Sequence, residues 1–331
     1  MQEKIQSIGE NKAKTPSNAL INAKESKLYK MNLKPFLLML PVLQIILQIW
    51  VKLTFYPYTD TVPFCDFWIM REGFNYLPDR IYDFYWTVYL PQFFVQFFWI
   101  GLLSFETGVL VWGILNAIIL TILWAVFLYD KQFSRYEKIL LGFIIIIIGL
   151  PSEVYVANND IFLLACGLGS YWILQRLQSE SPNSKINLYN ALAGIVLAFG
   201  TFKPLVLIFF PIVFYKSQRK GIFLISYFAY FLIANYQLFL YPYLLGDLWQ
   251  NMGSGLVLAG SESYFKTPFL NYIFKLNFAT PRHQIFIFPA ILLYVKNLVK
   301  SKERQEKLLL FYVIAIVVYF LAELILLSLG F

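Results

Sequence analysis

The stretch Thr87–Leu103 reads TVYLPQFFVQFFWIGLL, and whether it crosses a bilayer decides how the rest of the chain is threaded. It is apolar and nearly long enough to span. Pro91 interrupts it, however, and removes a backbone donor. Only SFET, Ser104–Thr107, separates it from the next apolar block. A segment that stays on one side leaves every later loop where it is, whereas a crossing inverts them all.

The surrounding blocks set the class. GVLVWGILNAIILTILWAVFLY (Gly108–Tyr129) and LLLFYVIAIVVYFLAELILLSLGF (Leu308–Phe331) are each long enough to span. Further blocks lie near 33–55, 138–150, 160–177, 187–203, 204–216, 221–240 and 285–299. Hydrophobic residues make up 59% and charged residues 14%, with a mean hydropathy of +0.61. These values fall outside soluble globular usage. The expected fold is an all-α polytopic integral membrane protein with about nine to ten transmembrane or re-entrant helices, some of them short or tilted. One integral domain, 33–331, follows a disordered basic arm, 1–32, that lacks the apolar core of a signal peptide.

Positive-inside counting chooses the threading. With 87–103 on the outer side, 20 of the 27 Lys and Arg lie in the cytoplasmic arm and loops. With 87–103 crossing, only 11 do. The first arrangement is expected, with a cytoplasmic N-terminus. Three acid-bearing segments then share the outer side: the region from Tyr56 to Gln92, the loop Gly149–Phe162, and the long stretch Tyr241–His283. The length of the last favours a functional loop.

Lys203 interrupts the apolar run LAGIVLAFGTFKPLVLIFFPIVFYK (Leu192–Lys216). Pro204 marks a helix break, so 187–203 and 204–216 read as a hairpin whose turn reaches the outer side. Lys203 is then either a snorkelling lysine at a helix end or an anion-binding cation beside hydrocarbon. A partly desolvated carboxylate nearby has its pKa raised toward the range of a general base. Such a cation and such a base together suit group transfer from a lipid phosphate to a hydroxyl. Glu323, inside the last block, is a further candidate for a polar role.

Other classes are excluded. There is no Gly-rich phosphate cradle and no large soluble domain, which argues against a cytosolic nucleotide-sugar enzyme. Cys65 and Cys166 form no CxxC pair, and the chain has one histidine, so no disulfide framework, metal site or cofactor is expected. The net charge of +8 comes mostly from cytoplasmic cations and calls for no nucleic acid.

The order of motifs carries a resemblance over about Asp60–Lys220. An Asp and aromatics precede a Gly and a Tyr-Asp pair in CDFWIMREGFNYLPDRIYDFYWTVYLPQFFVQFF, ETGVLVWGILNAIILTILW follows, and a Lys-Pro pair closes AGIVLAFGTFKPLVLIFFP. In these features the chain resembles glycosyltransferase family 87, polyprenyl-phosphate-dependent mannosyltransferases of the GT-C class. The family's Gly-Gln-x-Asn is replaced here by VANNDIF.

The resemblance implies a GT-C-like fold and an inverting transfer of a hexose, mannose in this family. The donor is a polyprenyl-phosphate sugar and the acceptor a lipid or glycan hydroxyl on the extracytoplasmic face. Asp66 is the implied general base, with Asp60 the alternative. Lys203 is the implied cation for the departing phosphate, with Arg282 and His283 as candidate assistants. Glu153, Asn158, Asn159 and Asp160 are candidates for shaping the acceptor pocket. A transporter or flippase of lipid-linked sugars and an inactive GT-C relative are the competing readings.

Overall fold

Buried backbone N–H and C=O groups must pair, and the described part of this chain pairs them in helices. The computed structural model describes residues 39, 43, 46, 65–83, 89–144, 159–177, 185–258 and 284–328. Among these residues there is no strand. The arm 1–32 lies outside the described residues.

Helix α1 (Cys65–Glu72) runs into a 3-10 turn at Gly73–Tyr76. The decisive stretch then forms two short helices, α2 (Gln92–Gln96) and α3 (Trp99–Leu102), with a break at Phe97. At 1.5 Å per residue the two together reach about 16 Å, roughly half a bilayer's hydrocarbon thickness of ~30 Å. Phe93, Phe94, Phe97 and Ile100 of this stretch are buried. It is an inserted, interrupted element that does not run the length of the bundle.

Helix α4 (Phe105–Tyr129) starts at Ser104, whose side chain accepts from the Thr107 backbone N–H, a standard helix start. Among the described residues it is the one helix both long and apolar enough to cross a membrane. Helix α5 (Arg135–Ile144) opens on a reciprocal capping box. Glu137 accepts from the Ser134 N–H at 2.6 Å, and Ser134 Oγ accepts from the Glu137 N–H at 3.3 Å.

Helix α6 (Asp160–Trp172) ends in a π-helical turn at Ile173–Leu177. The hairpin expected around Lys203 is present. Helix α7 (Ile186–Phe199) passes into a 3-10 turn, Gly200–Phe202. Lys203 is extended, and the chain returns through a 3-10 segment, Pro204–Phe209, and α8 (Phe210–Lys216). Its ends meet: Ser217 Oγ donates to Asn190 Oδ1 at 2.6 Å. The 3-10 segment makes this possible. Rising ~2.0 Å per residue, it lets a thirteen-residue return match the ~21 Å of α7.

The remaining elements are α9 (Lys220–Ala234), α10 (Gln237–Leu240), α11 (Leu244–Leu258), α12 (Gln284–Leu298) and α13 (Lys302–Ser328). Helices α7 and α9 approach closely at Gly194, where a methyl group would lie 2.5 Å from the Phe223 carbonyl oxygen. Small residues permit this backbone proximity between helices. Gly167 plays the same part between α6 and the return arm, since a side chain there would run into the Phe209 ring.

One end of the bundle gathers the loops expected to be cytoplasmic. Lys296 of α12 contacts both carboxylate oxygens of Glu137 at 2.9 Å and lies over the Phe133 ring. Lys216 lies over Tyr171, which also accepts from Asn297. Residues 130–138, 171–172, 216–219 and 296–297 are thereby tied together.

Candidate functional site

At the other end, α6 begins where the α7 hairpin turns. Lys203 Nζ donates to Asp160 Oδ1 at 3.2 Å and to Asn159 Oδ1 at 3.3 Å. All three residues are enclosed: Lys203 is 4% exposed, Asp160 and Asn159 0%. The snorkelling reading of Lys203 does not hold, because its ammonium is turned inward onto a carboxylate 43 residues earlier. A buried cation must be paired, since an uncompensated charge in a low-dielectric interior costs several kcal/mol.

Asn159 also links this pair to α1, with its Nδ2 3.8 Å from Met70 Sδ. Asp66 occupies the position one turn before Met70 on α1, and residues four apart share a helix face. The side chain of Asp66 lies outside the described residues, as do those of Glu323 and the whole of Asp60, Glu153, Asn158, Arg282 and His283.

The floor of the site is aromatic. Phe97 meets Phe162, Phe202 and Trp112 at centroid distances of 5.3, 5.6 and 5.5 Å. Trp112 stacks on Phe162 at 4.7 Å. These rings come from α4, α6, the 3-10 turn after α7 and the break between α2 and α3, so the interrupted stretch is the keystone of this end.

A polar feature that the sequence reading missed fixes the stretch in place. Asn235 Nδ2 donates to Gln92 Oε1 at 2.7 Å, and the Gln92 backbone N–H donates to Asn235 Oδ1 at 3.1 Å. Gln92 Nε2 donates to the Ala198 carbonyl, and the Leu90 N–H donates to the Phe202 carbonyl. These bonds satisfy the carbonyls freed where α7 ends. Both amides are almost wholly buried. The available signal was the presence of amides within two apolar runs, Gln92 and Gln96 in one and Asn235 and Gln237 in the other, groups that must find partners when buried.

The rim brings in the long stretch after Tyr241. Tyr243 OH donates to the Asp79 carbonyl at 2.9 Å and Asn251 Nδ2 to the Tyr82 carbonyl at 2.8 Å. Tyr82 OH donates to the Tyr89 carbonyl at 2.9 Å. Burial pushes the Tyr82 phenol above its ordinary value, with Asp247 adding to the shift, so it stays a neutral donor. The described parts of all three acid-bearing segments therefore meet at one end: 67–83 with 243–251, and Met70 with Asn159.

Among the described residues no group of three His, Cys, Asp or Glu is placed to hold a metal ion. Cys166 is a buried free thiol. No family model, curated protein or solved structure matches the chain.

Proposed function

We propose that the chain is a multi-pass membrane glycosyltransferase of the GT-C type. It moves a hexose, mannose by the family resemblance, from a polyprenyl-phosphate donor to a lipid or glycan hydroxyl on the extracytoplasmic side. The observation that carries this reading is segregation. The acid-bearing segments meet around an enclosed lysine at one end of the bundle, while the loops rich in unremarkable cations meet at the other. A membrane setting is further supported by the bundle's outer surface. It exposes Ile118, Ile122, Ile225, Ile233 and Phe311, an apolar exterior of the kind that solvent disfavours.

In this mechanism the carboxylate of Asp66 takes the proton of the acceptor hydroxyl. The acceptor oxygen attacks the anomeric carbon in line and forms the new glycosidic bond with inversion. The bond from that carbon to the phosphate oxygen breaks, and the electron pair leaves with the phosphate. The phosphate changes from a diester with one negative charge to a monoester approaching two. A cation that meets charge as it develops stabilises the transition state more than the ground state, and Lys203 is assigned that part. The reading calls on no metal or organic cofactor.

The test uses the purified chain in lipid, with radiolabelled polyprenyl-phosphate sugars and a membrane-lipid acceptor mixture. Wild type transfers label, Asp66→Asn abolishes transfer while retaining donor binding, and Lys203→Ala weakens both. Transfer that survives Asp66→Asn moves the base, with Asp60 tested next.

One observation favours a second reading, a transporter of lipid-linked sugar. An enclosed ion pair beside a broken helix is also how such proteins build a substrate site. Vesicles that translocate the labelled donor without transferring its sugar would decide for it.

A further inference from the structure

We propose that the groove between α5 and α13 binds one anionic glycerophospholipid, with an acyl chain in the groove and the phosphate against the cations at the start of α13. The proposal needs the membrane setting but not the transferase reading, because the groove belongs to the end of the bundle where Lys296 meets Glu137.

Three helices build the groove. Both α5 and α13 pack on α12. Lys296 of α12 holds Glu137 of α5, and Phe288 of α12 stacks on Tyr312 of α13 at a centroid distance of 5.8 Å. Helices α5 and α13 also touch each other. Their first turns lie side by side, with Glu306 within electrostatic reach of Tyr136. Farther along they enclose a cavity of about 330 Å³ lined by Ile139, Leu140, Val313, Ile314, Val317 and Val318. Leu140 and Val313 are buried and form its floor, while Ile139, Ile314 and Val318 are exposed and form its rim. The volume is near the low end of the ~300–1,000 Å³ of small-molecule sites, and all six lining residues are aliphatic. That combination suits a single hydrocarbon chain. A sugar or nucleotide would have its polar groups buried there without partners.

The charge above the groove selects the headgroup. Residues 131–138 and 300–307 hold seven Lys and Arg against three Glu, and one of the three, Glu137, is engaged by Lys296. Arg304 and Lys307 are exposed. Lys307 contacts Glu303 at 2.6 Å, but both side chains are about three-quarters exposed, and such a pair competes weakly. Lys307 precedes Ile314 by seven residues on α13, so the two share a face and differ in level by about 10 Å. The polar layer on each side of a ~30 Å hydrocarbon core is about 5–8 Å thick. With Lys307 among the headgroups, Ile314 lies just inside the hydrocarbon, where an acyl chain runs. Clusters of Lys and Arg beside a span bind anionic lipid, each cation adding a factor of about five in affinity. A neutral lipid gains the groove alone; an anionic one gains the groove and the cations.

The test titrates the purified full chain in neutral detergent with dioleoyl phosphatidylglycerol or dioleoyl phosphatidylcholine, and native mass spectrometry counts the lipids retained. Wild type is expected to retain one phosphatidylglycerol about tenfold more tightly than phosphatidylcholine. The preference shrinks when salt is raised from about 0.1 M to about 1 M. Arg304→Gln/Lys307→Gln, at two exposed positions, brings phosphatidylglycerol down to the phosphatidylcholine level and leaves the latter unchanged. Val318→Trp fills the groove from one wall and loses both lipids, and Ile139→Trp does the same from the other. Equal retention of the two lipids by wild type overturns the proposal, because the groove then holds only unselected bilayer lipid. A preference that survives both tryptophan variants overturns it as well, since the cations would then act without the groove. So does a dimer that either tryptophan variant splits with no change in lipid retention, which would assign the groove to a second copy of the chain.

Discussion

At the scale of single residues, the enclosed charges set the clearest energetic expectation. Removing one member of a buried ion pair strands the other, at a cost of about 3–5 kcal/mol, whereas replacing both with apolar side chains is often neutral or stabilising. Lys203→Met is therefore expected to lower the thermal stability of the detergent-solubilised protein sharply, and Lys203→Met/Asp160→Leu to recover most of the loss. If the single and double variants melt together, Asp160 is not the partner that compensates Lys203. The pairing could not be read from the sequence. Lys203 was conspicuous because it stood in an apolar run, but its partner lay 43 residues away at the end of another block. Local pattern names a buried charge; only the packing of α6 against the hairpin names what neutralises it.

At the scale of elements, the segment 89–102 is held by amides. Gln92 and Asn235 exchange two hydrogen bonds, and each is buried. Gln92→Leu removes the side-chain acceptor of Asn235 Nδ2 and the donor to the Ala198 and Phe199 carbonyls while the backbone bond to Asn235 Oδ1 remains, at about 1–3 kcal/mol, and Asn235→Leu takes the partner from both Gln92 Oε1 and the Gln92 backbone N–H. The double variant should lose clearly less than the sum of the two, with a coupling of about 0.5–3 kcal/mol for groups in one network, read from the three unfolding midpoints. Strict additivity would mean that Gln92 and Asn235 contribute independently and that their mutual bond does not hold the segment. What the sequence made legible here follows from physical range. Helix α4 announced itself, because a 25-residue, predominantly apolar segment starting at a Ser-capped turn has few alternatives to a helix. The hairpin at Lys203 was legible through Pro204. The break at Phe97 was not, because neither Gly nor Pro stands there; the ring sits among Phe162, Phe202 and Trp112, and that arrangement exists only once four elements have come together. The 3-10 return of Pro204–Phe209 was hidden for a similar reason, since its purpose is to match the length of α7.

At the scale of the whole molecule, the ties between elements fix which loops share an end. The counting of cations favoured a threading in which 87–103 does not cross, and that threading requires the regions near 60–92 and 149–162 to lie together. Met70 meeting Asn159 is the contact such a threading demands; a crossing segment would separate the two by the length of the bundle. Sidedness then follows from which end faces the cytoplasm, and a thiol-labelling experiment reads it directly. In a Cys65→Ser background, with Cys166 buried, single cysteines are placed at the exposed positions Asp83, Gly246, Gln218 and Ser301. A membrane-impermeant maleimide on intact cells is expected to label Asp83→Cys and Gly246→Cys at once, and Gln218→Cys and Ser301→Cys only after permeabilisation. The inverse pattern would put the Lys203 end in the cytoplasm and overturn the proposed extracytoplasmic transfer. Labelling of all four on intact cells would mean that the bundle does not span, and its exposed isoleucines would then need another cover. The expected pattern would place the carboxylates and the enclosed lysine on the extracytoplasmic face, as the proposed transfer from a lipid phosphate requires.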